Sequence, residues 1–277
     1  MISRLAGALV RAFLVVLLIA TPSIALPGVT SDTMQIVALV SIFAAVLVIF
    51  EYGSTYPGLI EFRDAPPFNR IRFGALLVTV VALTVISRHQ AEASDLGRLL
   101  EAVGMVVADM IDFPYSPVRL VVLMLPPDTS LEIAMQVRIA AALAYLISLI
   151  SLGVFFYAIR IRHWPVHSGA FNVWVNLPTF DPTAGGDVVA RLARDARYNI
   201  ALGFLMPFFV PAVTKAASSL FGGVHLENPH TMIWIVAAWA FLPASLFMRG
   251  LAMGRIAQLI ETKRRRGATH DEALQPA

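Results

Sequence analysis

The sequence predicts an all-α membrane protein: a polytopic bundle of about six transmembrane helices with an interfacial amphipathic helix on the outer side, forming one integral membrane domain over residues 1–277. Three observations carry the prediction. Hydrophobic residues make up 58% of the chain and charged residues 14%, with mean hydropathy +0.74, whereas a typical soluble domain is about 45–50% apolar and about 25% charged. Apolar runs recur along the whole chain, several approaching the roughly 20 residues that a helix needs to cross a bilayer. Lys and Arg also divide unevenly between the connecting segments.

The first span covers about residues 8–26. Arg4 and Arg11 stand ahead of and within an apolar run from Leu5 to Leu26, long enough to be retained as a helix. Ser23-Ile24-Ala25 offers a small-x-small cleavage site, so removal of residues 1–25 as a signal peptide is the alternative. Either way residues 28–33 lie outside. The second span, 34–50, runs into an inside loop, 51–72, whose Pro57-Gly58 and Pro66-Pro67 pairs mark turns. There Tyr56, Phe62 and Phe68 interleave with Arg63, a composition enriched at protein interfaces, and are read as a candidate partner-binding surface. The competing reading is a structured turn with internal ion pairs. A third span follows at 73–87.

Residues 95–127 form the outer interfacial segment. Ser94 or Asp95 caps a helix with Leu96, Leu99, Leu100, Val103, Val107, Met110 and Ile111 on one face and Arg98, Glu101, Asp109 and Asp112 on the other. That pattern predicts a helix lying in the interface plane with a solvated acidic face. Residues 118–125, VRLVVLML, are bracketed by prolines and too short to span, hence re-entrant or packed against other helices. Thr129-Ser130-Leu131-Glu132 reads as a capping box for the fourth span, 132–158.

The inside segment 160–199 opens with Arg160, Arg162, His163 and Trp164, cationic and aromatic anchors of an interface. Alternation across 171–177 predicts a short extended piece, and Asp187 occupies an N-cap position for a helix bearing Arg191, Arg194 and Arg197. That helix continues into the fifth span, 200–217. The sixth, 232–248, leads to an inside basic tail, 249–277, containing Lys263, Arg264, Arg265 and Arg266. Of the 21 Lys and Arg, only Arg88, Arg98, Arg119, Arg138 and Lys215 fall outside or at outer helix ends. The positive-inside rule therefore places both termini in the cytoplasm, in a plasma (inner) membrane.

Chemistry is sparse. Without Cys, thiolate nucleophiles, thiolate metal sites and iron–sulfur clusters are excluded. The predicted helix centres hold no Asp, Glu or His, the residues of intramembrane proton relays. His89, His163, His167, His225, His230 and His270 all fall in predicted loops or tails, so no facing pair is placed to hold haem. Gly185-Gly186 precedes a helix but lacks the Lys and Ser/Thr of a phosphate-binding loop. No catalytic residue, metal ligand or cofactor is expected, and no nucleic-acid partner.

What remains is binding. Arg191, Arg194 and Arg197 share a compartment with Lys263, Arg264, Arg265 and Arg266, a surface for anionic lipid or an acidic partner, each cation near an anionic leaflet contributing about 1 kcal/mol. Ordinary topological anchoring is the competing reading. Pro207, Pro211 and Pro243 interrupt the last two spans, and Gly250-x-x-x-Gly254 permits close approach of another helix. The expected function is that of a non-catalytic accessory subunit, scaffold or assembly factor of a larger membrane complex, with a membrane protein and membrane lipids as partners. A channel or carrier is the first alternative and requires a continuous polar path. An enzyme using Asp109, Asp112, His225 and His230 is the second, and requires those side chains to converge.

Overall fold

The computed structural model describes residues 2–165, 172–181, 183, 185–221 and 226–273, and all regular structure among them is helical. Six helices are long and apolar enough to cross a membrane: α1 (Ile2–Ala25), α2 (Ser31–Gly53), α3 (Phe68–Ala91), α6 (Leu131–Arg160), α8 (Val188–Phe221) and α9 (Pro229–Ala273). Shorter ones connect them: α4 (Asp95–Met110), α5 (Pro117–Leu123) and α7 (Val173–Asn176). The long helices overrun the apolar windows because their ends are polar but capped. Thr30, Ser94, Ser116, Ser130 and Asp187 each accept a hydrogen bond from a backbone N–H three residues on, satisfying donors the first turn leaves free. Ser130 is the cap of α6, which puts Glu132 at the second helical position rather than the third, so the expected reciprocal box is a single cap.

α6 and α9 pack together at the centre, with α3 against both. Alanine makes this possible: Ala140, Ala141, Ala142 and Ala144 on α6 meet Val236, Ala237 and Ala240 on α9 in one buried cluster. In lipid, helices associate through such close van der Waals contact because the tails are as apolar as the core. A second cluster, gathered around Phe62, Phe68, Phe155 and Trp164, lies at the other end of the bundle. α8 packs chiefly on α9, and α2 chiefly on α1.

The two prolines of α8 do not end it. Pro211 has no N–H, so the Pro207 carbonyl four residues earlier loses its helical partner, and Trp239 Nε1 donates to it at 3.1 Å. The kink is thereby tied to α9. Gly250 and Gly254 serve the same contact: a Cβ at Gly250 would lie 2.7 Å from the Ala196 carbonyl oxygen, so the helix admitted by this pair is α8 of the same chain.

One local expectation is corrected, and the seating of α4 and α5 is settled. The alternating stretch forms one turn of helix, α7, whose last residue, Asn176, faces the 54–67 loop instead of extending along it. On α4 the residues turned inward are Gly97, Gly104 and Ala108, while Leu96, Leu99, Val103 and Met110 are exposed. Gly104 abuts Ile139 of α6, and Leu100, Val107 and Ile111 pack partly buried beside it, so small and large residues together seat the helix. The acidic side of α4 remains exposed, and Arg138 of α6 reaches Asp109 at 2.9 Å and, just beyond the helix, Asp112 at 3.2 Å. α5 is packed rather than open, with Val118 and Val121 buried beneath α6 and α8.

Candidate inner-face site

One end of the bundle is closed by a folded loop, residues 54–67, built from its own charges. Glu51, the buried last-turn carboxylate of α2, accepts from the backbone N–H groups of Gly58, Leu59 and Ile60 at 2.9–3.1 Å. Arg63 turns back to donate to the carbonyl oxygens of Glu51 and Ser54 at 2.8 and 2.7 Å. A carboxylate and a guanidinium thus supply the backbone partners that a loop without helix or sheet lacks.

This geometry settles where the aromatic residues point. Phe62 and Phe68 are 0% and 1% exposed, and the Arg63 side chain is 7% exposed. Of the four residues read as a docking surface, only Tyr56, 76% exposed, faces outward. Phe62 takes a left-handed backbone, φ 53°, which costs a bulky residue on the order of 1–3 kcal/mol. It is held there from several sides. Its N–H donates to the Asn176 carbonyl at 2.7 Å, and its ring lies 4.5 Å from Phe68 and 5.7 Å from Trp164. Asn176 Oδ1 also accepts from the Asp64 N–H, and Trp164 Nε1 donates to the Ala65 carbonyl.

Glu61 projects from the same loop and joins it to α9. Arg249 donates to both its oxygens, Nε at 2.6 Å and the second terminal nitrogen at 2.8 Å, a forked pair that fixes geometry as well as charge. Thr179 Oγ1 donates to Glu61 at 2.6 Å, and Arg249 reaches Asn199 Oδ1 of α8 at 2.9 Å. Burial pulls the Glu61 carboxyl upward, but the hydrogen bonds from Arg249 and Thr179, with the charges of Arg249 and Arg72, outweigh it and hold it below the ordinary value of 4.5. Arg72 lies behind, donating to Asn69 Oδ1, over the rings of Phe68 and Phe241, with its Nε buried and without a hydrogen-bond partner. One carboxylate between two arginines leaves the group net positive.

The basic residues of the central segment and the tail come together on this face. Arg264 meets Asp187 at 2.6 Å, directly tying the tail of α9 to the N-cap of α8. That bond holds the exposed Asp187 carboxyl below its ordinary value. Asp187 also caps its own helix through the Ala190 N–H, so the Gly185-Gly186 turn ahead of it presents no free anion cradle. Arg191 donates to the Asp181 carbonyl and lies over the Phe180 ring. Arg265 pairs with Glu261, and Arg194 lies 3.6 Å from Asp195. Arg194, Arg197, Lys263 and Arg266 are exposed.

The outer group read as a possible catalytic set is not assembled. Asp109 and Asp112 face Arg138, whereas His230 Nε2 lies 3.0 Å from Ser23 Oγ. His225, like His167, lies outside the described residues. Among the described residues no group of three or more His, Cys, Asp or Glu is placed to hold a metal ion.

The fold and this end of the bundle define a class, a helical protein with six helices long and apolar enough to cross a membrane and a loop-closed, net-positive end. Comparison of the chain with protein families, with curated proteins and with solved structures gives no match.

Proposed function

We propose that this chain is a non-catalytic component of a larger complex in an inner membrane, an accessory subunit, scaffold or assembly factor that holds a membrane-protein partner and anionic lipid at its inner face. The observation that carries the reading is the joining of the 54–67 loop, the 172–187 segment and α9 through Glu61, Arg249 and Arg264. Three chain segments are joined into one surface, and cations beyond those used internally stand on it. The bundle interior supports the same reading over a carrier. Buried hydroxyls of Thr79, Thr84, Ser148 and Ser151 donate to helix carbonyls, and the aromatic group beneath the loop closes the inner end.

Arg191 and Arg264 hold the platform together, so they are poor choices for a test. Replacing Arg194, Arg197, Lys263 and Arg266 together by Gln leaves the Glu61–Arg249 and Asp187–Arg264 links of the platform in place and removes only the exposed Arg194–Asp195 pair. Exposed charge attraction is strongest at low salt, the Debye length being about 8 Å at 0.15 M. The variant is expected to insert normally and, after purification in mild detergent at low salt, to retain several-fold less of the partner and of anionic lipid than wild type. Unchanged partner and lipid content would reduce these four residues to topological anchors and refute the proposed surface.

A further inference from the structure

At the opposite end of the bundle, the link between α1 and α2, the last turn of α3 and the first turn of α9 enclose a cavity of about 440 Å³. This is within the roughly 300–1,000 Å³ usual for small-molecule sites. Its polar wall comprises Thr30, Thr33, Ser87, Gln90, Asn228, His230 and Thr231, and among the described residues no Asp, Glu, Lys or Arg lines it. Leu26, Val29 and Pro229 supply apolar surface beside them.

The cavity is a built feature rather than a gap between loops. Ser23 orients His230 through Nε2, and Asn228 Oδ1 accepts from the N–H groups of His230 and Thr231, leaving its amide nitrogen as a donor. Thr30 likewise caps α2. At α9 the first-turn N–H groups are already taken, by Asn228 Oδ1 and the Asn228 carbonyl, so that helix start offers an anion no free donor. Ser87 differs from the rest: it is 9% exposed, and its hydroxyl is buried without a hydrogen-bond partner. Leaving a buried hydroxyl unpaired is costly, whereas its removal at a purely structural position is neutral or stabilising. An uncharged wall would likewise leave a charged ligand without a counter-ion.

We propose that this cavity binds a small uncharged polyhydroxylated group, a sugar or polyol, with Ser87 and Gln90 among its hydrogen-bond partners. The group arrives either as a free solute or as the headgroup of a lipid. This goes beyond the role proposed for the inner face and does not depend on it.

The test uses the purified full chain in phosphatidylcholine nanodiscs. Glucose is the soluble probe, read by saturation-transfer NMR, and monoglucosyl diacylglycerol added to the disc is the lipid probe, read by native mass spectrometry. Ser87→Ala should weaken binding of the active probe about tenfold, the loss expected for one hydrogen bond, and Gln90→Leu should abolish it. Ser87→Ala should also unfold at a higher temperature than wild type when neither probe is present. Binding of glucose assigns a free solute; retention of the lipid alone assigns a headgroup. No signal from either probe, wild-type binding by both variants, or a Ser87→Ala midpoint at or below that of wild type would overturn the proposal.

Discussion

Gly250→Leu is expected to separate α8 from α9 and to cause a large loss of stability. The obstacle is largely backbone: a Cβ at Gly250 would meet the Ala196 carbonyl oxygen at 2.7 Å and the Ile200 nitrogen at 2.9 Å, with the Ile200 side chain also at 2.7 Å. Overpacking costs about 1–3 kcal/mol where side chains can move aside, and here two helices must part, so about 3 kcal/mol or more is expected. In detergent that lowers the thermal midpoint by roughly 6–12 °C, taking about 2–4 °C per kcal/mol for a chain of this size. Gly254 is the internal control. A Cβ there sits 3.6 Å from that of Ala196, an ordinary contact, so Gly254→Ala should match wild type while Gly250→Ala already falls below it. Equal midpoints for the two alanine variants would show that α8 does not approach α9 at Gly250.

The second large effect is expected one residue earlier. Glu61→Gln leaves the Arg249 guanidinium, 28% exposed, without its carboxylate, and Arg249→Gln leaves Glu61, 11% exposed, facing an uncharged amide. Breaking one side of a buried pair costs about 3–5 kcal/mol; the partial exposure of Arg249 brings the expected loss to about 2–3 kcal/mol for either single variant. The double variant should lose less than the two losses added, because neither charge is left behind. The pH dependence follows from the depressed carboxyl. Its contribution is complete above the ordinary value of 4.5 and is lost as pH falls from there through the lower folded value. Thermal midpoints of wild type should therefore drop on acidification through that window, and Glu61→Gln should remove this part of the drop. A Glu61→Gln protein as stable as wild type at neutral pH, or one with an unchanged acid limb, would contradict the assignment of Glu61 as the link between loop and helix.

The helices were legible because their signals are local. Apolar length marks the six long ones, and Ser94 and Asp187 cap α4 and α8 where turn chemistry places them, while the cap of α6 falls on Ser130, one residue later than the box read from Thr129 to Glu132. Gly250-x-x-x-Gly254 correctly announced a close approach, although a pattern within α9 carries no information about which helix fills it. The inner face was legible only in its charges. Glu61 and Arg249 are 188 residues apart in sequence, and the burial of Phe62 depends on Asn176 and Trp164, which approach only after the bundle has formed. Aromatics beside arginine read the same whether they face a partner or the protein's own interior. The period of two across 171–177 misled for a related reason, since a four-residue helix is too short to express a period of its own. On α4 the apolar face was legible, and Leu100, Val107 and Ile111 do pack against the core, but the close approach of Gly104 to Ile139 depends on a neighbouring helix that the local pattern does not name.

Both functional readings rest on one claim: the 54–67 loop, the 172–187 segment and the basic tail face the cytoplasm, and the α3–α4 corner with the Ser87 cavity faces the opposite side. The contacts already group these segments at two ends, Glu61 with Arg249 and Asp187 with Arg264 at one, Ser23 with His230 at the other. Topology reporters inserted at Ala93 and at Ala184 measure the compartment of each end directly. The account predicts an outside signal from Ala93 and a cytoplasmic signal from Ala184. The reverse pattern would invert the assignment of both sites, and the same compartment at both positions would contradict the six-span arrangement itself.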